Sequence, residues 1–200
     1  MSPAASSPLN HKDLVVLAER WARQQGFHVT APEMTIIKTP EIPDLIAFNS
    51  SGSIMIECKV SRSDFLIDKK KPWRQPNQGM GNYRLYIAPE GIIKPEDLIK
   101  MEADLGCPRW GLLEVTPKKK IIEKVVPIYG FSNPSHYVRM RELMETIPHV
   151  YGENGEFNEM AKEQLEKHKE DSVFWHPSDA FLERAVLYSL ARRNKLKKPV

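Results

Sequence analysis

The segment EIPDLIAFNSSGSIMIECKV, residues 41–60, holds the side chains best placed to do chemistry. Glu57, Cys58 and Lys59 lie near the end of an apolar run, Ser53–Val60, that reads as a strand. Strand side chains alternate faces, so Glu57 and Lys59 share one face and Cys58 takes the other. Asp44 opens the preceding apolar run, Asp44–Phe48, thirteen residues before Glu57. Asn49-Ser50-Ser51-Gly52 between the runs is turn chemistry, so a hairpin would set Asp44 opposite the region of Glu57. Two carboxylates on one rim repel, and one would have its pKa raised. A hard divalent cation removes the conflict: Mg²⁺ is usually held by one or two carboxylates, waters and substrate phosphate oxygens. Such a site activates a water and stabilises charge on a phosphodiester. Lys59 would then orient the water or stabilise the pentavalent phosphorus, and the expected cofactor is Mg²⁺ or Mn²⁺.

Pro43-Asp44 followed by Glu57-Cys58-Lys59 resembles the PD-(D/E)xK nuclease superfamily, the restriction-endonuclease-like proteins. The run ECKVSRSDFLIDKK and the later YRLYIAP with its Gly-Ile-Ile look like the MmcB-like DNA-repair group and related phage and prophage proteins. The resemblance covers roughly residues 12–116, about half the chain. It implies an αβββαβ core, with Asp44 and Glu57 as metal ligands and the Cys58 backbone carbonyl completing the protein part. It makes Lys59 the catalytic lysine. Glu19, on the first helix, matches a carboxylate that several subfamilies place near the metal. Gln78 and Tyr83 loosely match the Gln-x-x-x-Tyr helix motif of the RecB-like branch, although the spacing is one longer and the segment reads as a loop. Glu41 is a spare acid beside the motif. The plainer alternatives are a Glu57–Lys59 salt bridge on an edge strand, a turn role for Asp44, a solvated helix position for Glu19 and a small buried side chain for Cys58.

The elements that must position these residues follow from periodicity. Leu14, Leu17, Ala18, Trp21 and Ala22 form the apolar stripe of a helix, with Asn10 as N-cap and Gly26 as its stop. Further strands are expected at Met34–Lys38, Tyr83–Ala88, Trp110–Val115 and Ile121–Ile128. Short helices are expected from Ser61 to Lys70 and from Lys94 to Asp104, with a loop at Trp73–Asn82. Glu156–Lys169 has the composition of a solvated helix, and Asp179–Arg193 that of a core-facing one. The fold class is α/β, a central mixed sheet flanked by helices, with a mainly helical C-terminal extension. The expected divisions are a flexible tail at 1–10, a nuclease-like core at 11–130 and an extension at 131–200 packed on it.

Charge is unevenly spread. The formal net charge is only +3, yet residues 59–74 carry six bases against two acids. Arg62, Lys69, Lys70, Lys71, Trp73 and Arg74 in that stretch are the expected nucleic-acid contacts, since bases neutralise phosphates by counterion release and aromatic faces hold unpaired bases. The terminal run 192–200 is a basic tail with five bases and no acid. Residues 141–171 hold nine acids against four bases and favour a protein partner.

The 200 residues make about one domain with 41% hydrophobic and 28% charged composition. No apolar stretch reaches the roughly 18–20 residues of a membrane span, and Met1–Asn10 does not read as a signal peptide. Cys58 and Cys107 are too few for a disulfide framework, so a cytoplasmic location is expected. The six histidines show no metal-ligand spacing, and His176 reads as structural. The expected function is metal-dependent DNA endonuclease, with RNA not excluded, in phage, repair or defence-related DNA processing. The alternative is a catalytically inactive nuclease-fold module for nucleic-acid binding or assembly. Many members of the resembled superfamily dimerise, while nothing in the sequence itself shows a homodimer.

Overall fold

The structure is a computed structural model and describes residues 9–35, 41–128, 130–131 and 171–196. Helix α1 (His11–Gln24) starts at a capping box: the Asn10 side chain accepts from the Asp13 N–H, and Asp13 returns the bond. Strands β1 (Val29–Pro32), β2 (Leu45–Phe48) and β3 (Ser53–Cys58) follow as an antiparallel meander. Helix α2 (Arg62–Asp68) crosses to β4 (Tyr83–Pro89), which runs parallel to β3. Helix α3 (Pro95–Leu105) leads to β5 (Gly111–Val115), parallel to β4, and β6 (Ile121–Val125) closes the sheet antiparallel to β5. The six strands among the described residues lie in chain order, so the fold is mixed α/β with an open mixed sheet. Helix α4 (Ala180–Leu196) ends the described chain.

The alternation of strand side chains divides the core in two. Ile54, Ile56, Leu85 and Ile87 pack under α1, against its buried stripe Leu14, Leu17, Ala18, Trp21 and Ala22. Met55, Tyr86, Ala88 and Leu112 face the other way, toward Phe65 of α2 and Leu98 and Met101 of α3. Val186 of α4, with Leu182 and Leu190, covers Ile46 and Phe48 on that second face. All six residues of β3 are buried, so this is a central strand covered on both sides, not an edge strand.

The first strand among the described residues lies before the one expected at Met34–Lys38. Val29–Pro32 forms the edge of the sheet, Met34 and Thr35 lie beyond it, and 36–40 are outside the described residues. Pro32 is tolerated because, among the described residues, β1 has a strand partner on one side only. At Glu33 the backbone turns to φ 44°, and its N–H donates to the Asp44 carbonyl at 2.9 Å. The helix expected at Glu156–Lys169 and nearly all of the acidic 141–171 segment also lie outside the described residues. Asp171, its last acid, is buried and accepts from the Ile128 N–H at 2.7 Å. Among the described residues no helix is long and apolar enough to cross a membrane.

His176 closes the second face of the core. Its ring Nε2 lies 3.2 Å from the Arg109 carbonyl and so carries the proton, and its own N–H donates to the Asn82 carbonyl at 2.7 Å. Burial, reinforced by Arg84, pushes the imidazole down to about 3 from its ordinary 6.5. The unfolded chain therefore binds this proton between those two values and the folded chain does not. Stability should fall as pH drops below 6.5, by about 1.4 kcal/mol per pH unit from this group. Thermal melts from pH 7 to pH 4 should show a shallower slope for His176→Gln than for wild type; equal slopes would contradict this.

Candidate metal and phosphodiester site

The β2–β3 register sets the site. Leu45 pairs with Ile56, and one step further places Asp44 opposite Glu57. The Cys58 N–H donates to Asp44 Oδ2 at 2.7 Å, fixing the carboxylate against the end of β3. Glu57 stands on the α2 side of the sheet, in register with Tyr86 of β4. Lys59 follows as β3 ends, its N–H held by the Ile87 carbonyl at 2.9 Å. Its ammonium donates to Glu57 Oε2 at 2.8 Å and lies 4.0 Å from Asp44 Oδ2. Asp44, Glu57 and Lys59 thus meet at one open cleft of about 270 Å³, also lined by His11, Ile42, Val60, Ile67 and Lys71.

Helix α2 supplies what the sequence does not advertise. Ser61 caps it, its hydroxyl accepting from the Asp64 N–H at 3.2 Å. Its last residue, Asp68, is 1% exposed and receives Lys59 Nζ at 3.0 Å, Lys71 Nζ at 2.7 Å, Arg74 Nε at 2.8 Å and the Tyr86 hydroxyl at 3.0 Å. Arg74 is wholly buried. It also reaches Glu57 Oε1 at 3.1 Å and Glu41 Oε1 at 2.7 Å, with its guanidinium 4.9 Å from the Trp110 ring centroid. Glu41 Oε2 accepts from the Met80 N–H at 2.9 Å, tying the 75–82 loop to the network.

One expected nucleic-acid contact, Arg74, is therefore corrected, and the other expected site residues take the following places. Arg74 faces inward as the cation of three carboxylates and has no surface to offer a phosphate. Arg62 is engaged by both oxygens of Asp97 and lies 5.6 Å from the Phe65 ring. Lys71 is paired with Asp68 while reaching the cleft. Lys70 is exposed, and Lys69 and Trp73 are half-buried. Glu41 is no spare acid but a buried partner of Arg74. Glu19 bonds Thr30 at 2.7 Å and Arg23 at 2.9 Å, which hold its carboxyl below its ordinary value, and it does not line the cleft. Gln78 is exposed, and its carbonyl accepts from Arg84 at 2.6 Å. Tyr83 packs on the α1 face, opposite Glu57, against Phe131 and Trp175.

Electrostatics follows from this packing. Burial is the largest influence on Glu57 and pushes its carboxyl above the ordinary value, against the pull of Arg74 and Lys59. Burial opposes the Lys59 charge, yet Glu57, Asp68 and Asp44 outweigh it and hold the ammonium above its ordinary value. Burial would raise Asp68, but Arg74, Lys59 and Lys71 hold it well below the carboxylate range. Linked here are four carboxylates, Glu41, Asp44, Glu57 and Asp68, against three bases, Lys59, Lys71 and Arg74, leaving one negative charge in excess apart from His11.

That donor set suits a hard divalent cation: two carboxylates meet at an open cleft with negative charge to spare. Glu57 would have to release Lys59, because both its oxygens hold a cation. His11, which the sequence did not single out, stands in the first turn of α1. Its Nε2 is 3.1 Å from Asp44 Oδ1 and its Nδ1 3.6 Å from Glu33. One atom each of His11, Asp44 and Cys58 also lie within 4.8 Å of one another. The Cys58 thiol is a poor ligand there, because burial and the neighbouring Asp44 and Glu57 push its pKa up and keep it protonated.

Compared with protein-family models and with curated proteins, the chain matches none. Among solved structures it is similar to a protein of unknown function from Silicibacter pomeroyi, with 21% identity and a TM-score of 0.41. That similarity covers 74% of this chain and 99% of the other.

Proposed function

We propose that this protein is a metal-dependent phosphodiester hydrolase acting on nucleic acid, DNA first. The observation that carries the proposal is the meeting of Asp44, Glu57 and Lys59 at one cleft. The succession α1-β1-β2-β3-α2-β4, with β3 and β4 parallel, supports it, being the αβββαβ order of the nuclease resemblance. Mg²⁺ or Mn²⁺ held by Asp44 and Glu57 would supply Lewis acidity and an activated water. The chain's own residues do the rest. The Cys58 N–H fixes the Asp44 carboxylate, and Lys59 keeps its charge to bond a phosphate oxygen. Lys71, Lys70 and Lys69 lie in the turn after α2, where they can take the flanking backbone.

A second reading, an inactive nuclease-fold binding module, is favoured by one observation. Both Glu57 oxygens and the Lys59 ammonium are already paired within the protein. Incubating pure protein with plasmid, linear duplex and single-stranded DNA, and with RNA, separates the two. The hydrolase cuts at least one substrate with Mg²⁺ or Mn²⁺ and stops on adding a chelator. If no substrate is cut, or if Glu57→Ala cuts as fast as wild type, the hydrolase reading fails.

A further inference from the structure

We propose that Asp68 is a positioning residue that keeps the Lys59 ammonium in the cleft when Glu57 turns its carboxylate to a divalent ion. Lys59 has three carboxylates within reach: Glu57 at 2.8 Å, Asp68 at 3.0 Å and Asp44 at 4.0 Å. Two of these, Asp44 and Glu57, are the groups a metal would engage. Asp68 is the one braced from behind. Arg74 holds both its oxygens, Nε on Oδ2 at 2.8 Å and Nη2 on Oδ1 at 3.1 Å. The Tyr86 hydroxyl donates to Oδ2 at 3.0 Å, and the Tyr86 ring is itself stacked on Trp110 at 4.6 Å between centroids. A carboxylate so held cannot follow a metal ion, so it gives the freed ammonium a fixed acceptor. Without it, a lysine side chain released by Glu57 has three soft torsions beyond χ1 and no single place to stand.

The proposal rests on the hydrolase reading for its kinetic arm alone. The activity-independent arm is the ¹H–¹⁵N spectrum of lysine ammonium groups, in which a buried, hydrogen-bonded Lys59 exchanges slowly and is assigned by its loss in Lys59→Arg. The signal should persist in Glu57→Gln and in wild type with saturating Mg²⁺, and in Asp68→Asn, where Glu57 alone holds the ammonium without metal, it should vanish once Mg²⁺ is saturating. A signal that survives saturating Mg²⁺ in Asp68→Asn, or is lost in Glu57→Gln, overturns the proposal. If Asp68→Asn does not fold, the Mg²⁺-saturated wild type decides: the signal stays if Asp68 holds the ammonium and disappears if it does not. In the kinetic arm, folded Asp68→Asn should lose about 10²-fold in kcat, the cost of a misplaced group, with KM and Mn²⁺ affinity near wild type. Unchanged kcat contradicts the proposal. Should wild type cut nothing, the hydrolase reading falls while the ammonium spectra still decide the role of Asp68.

Discussion

Replacing Lys59 with methionine is expected to lower metal-dependent cleavage by about 10²–10³-fold, the usual effect of removing one donor that stabilises transition-state charge. The fold should survive. Methionine keeps the length and apolar character of the buried stem. Glu57 keeps Arg74 at 3.1 Å, and Asp68 keeps Arg74, Lys71 and Tyr86. The two lost hydrogen bonds to carboxylates make a stability loss of about 1–3 kcal/mol the reasonable range. Single-turnover cleavage alongside a denaturant melt separates the two effects. A Lys59→Met protein that is folded and cuts like wild type would remove the lysine from the chemistry.

Arg74→Met should be the most damaging substitution for stability, by about 3–5 kcal/mol, because it leaves buried carboxylates without their cation. The loss falls unevenly. Glu57 retains Lys59, and Asp68 retains Lys59 and Lys71, but Glu41 is left with the Met80 N–H alone. Adding Glu41→Gln to Arg74→Met should therefore recover part of the loss, a coupling that a double-mutant cycle measures directly. Asp68 also makes a pH-dependent contribution. In wild type, Asp68 has a depressed folded pKa, so its contribution is present above 3.8 and is lost as pH falls toward the folded value. If Arg74→Met melts within about 1 kcal/mol of wild type, the inward network is not what holds this side of the core together.

Much of the frame was legible because it depends on local periodicity. The i, i+3, i+4 stripe of α1 is buried as the spacing requires, and the turn at Asn49–Gly52 joins β2 to β3 so that Asp44 and Glu57 come opposite. The first strand was not legible: Val29–Pro32 is four residues long and ends in proline, which only an edge position tolerates. Within the basic stretch after β3, the inward turn of Arg74 was not legible for a different reason. A run of lysines and arginines shows its charge but not its direction. Arg74 turns inward to Glu41, thirty-three residues away, and Asp68 within the same run anchors it. Tyr86 and Arg84 were hidden in a strand that reads as apolar, and Tyr83 lies on the other face because register, not residue type, decides which tyrosine meets Glu57. His11 joins Asp44 across the fold with no sequence spacing to announce it.

Diffraction from crystals soaked in Mn²⁺, with the ion located by its anomalous signal, addresses the central claim most directly. The hydrolase reading predicts one ion bonded by Asp44 and Glu57 carboxylate oxygens at the short distances of a hard divalent cation, about 2.0–2.3 Å, together with the Cys58 carbonyl. Glu57 should have left Lys59, and Lys59 should still rest on Asp68. Saturating Mn²⁺ that leaves no ion there, with Glu57 still bound to Lys59 and Arg74, would contradict it, as would an ion held instead by His11, Asp44 and the Cys58 thiol.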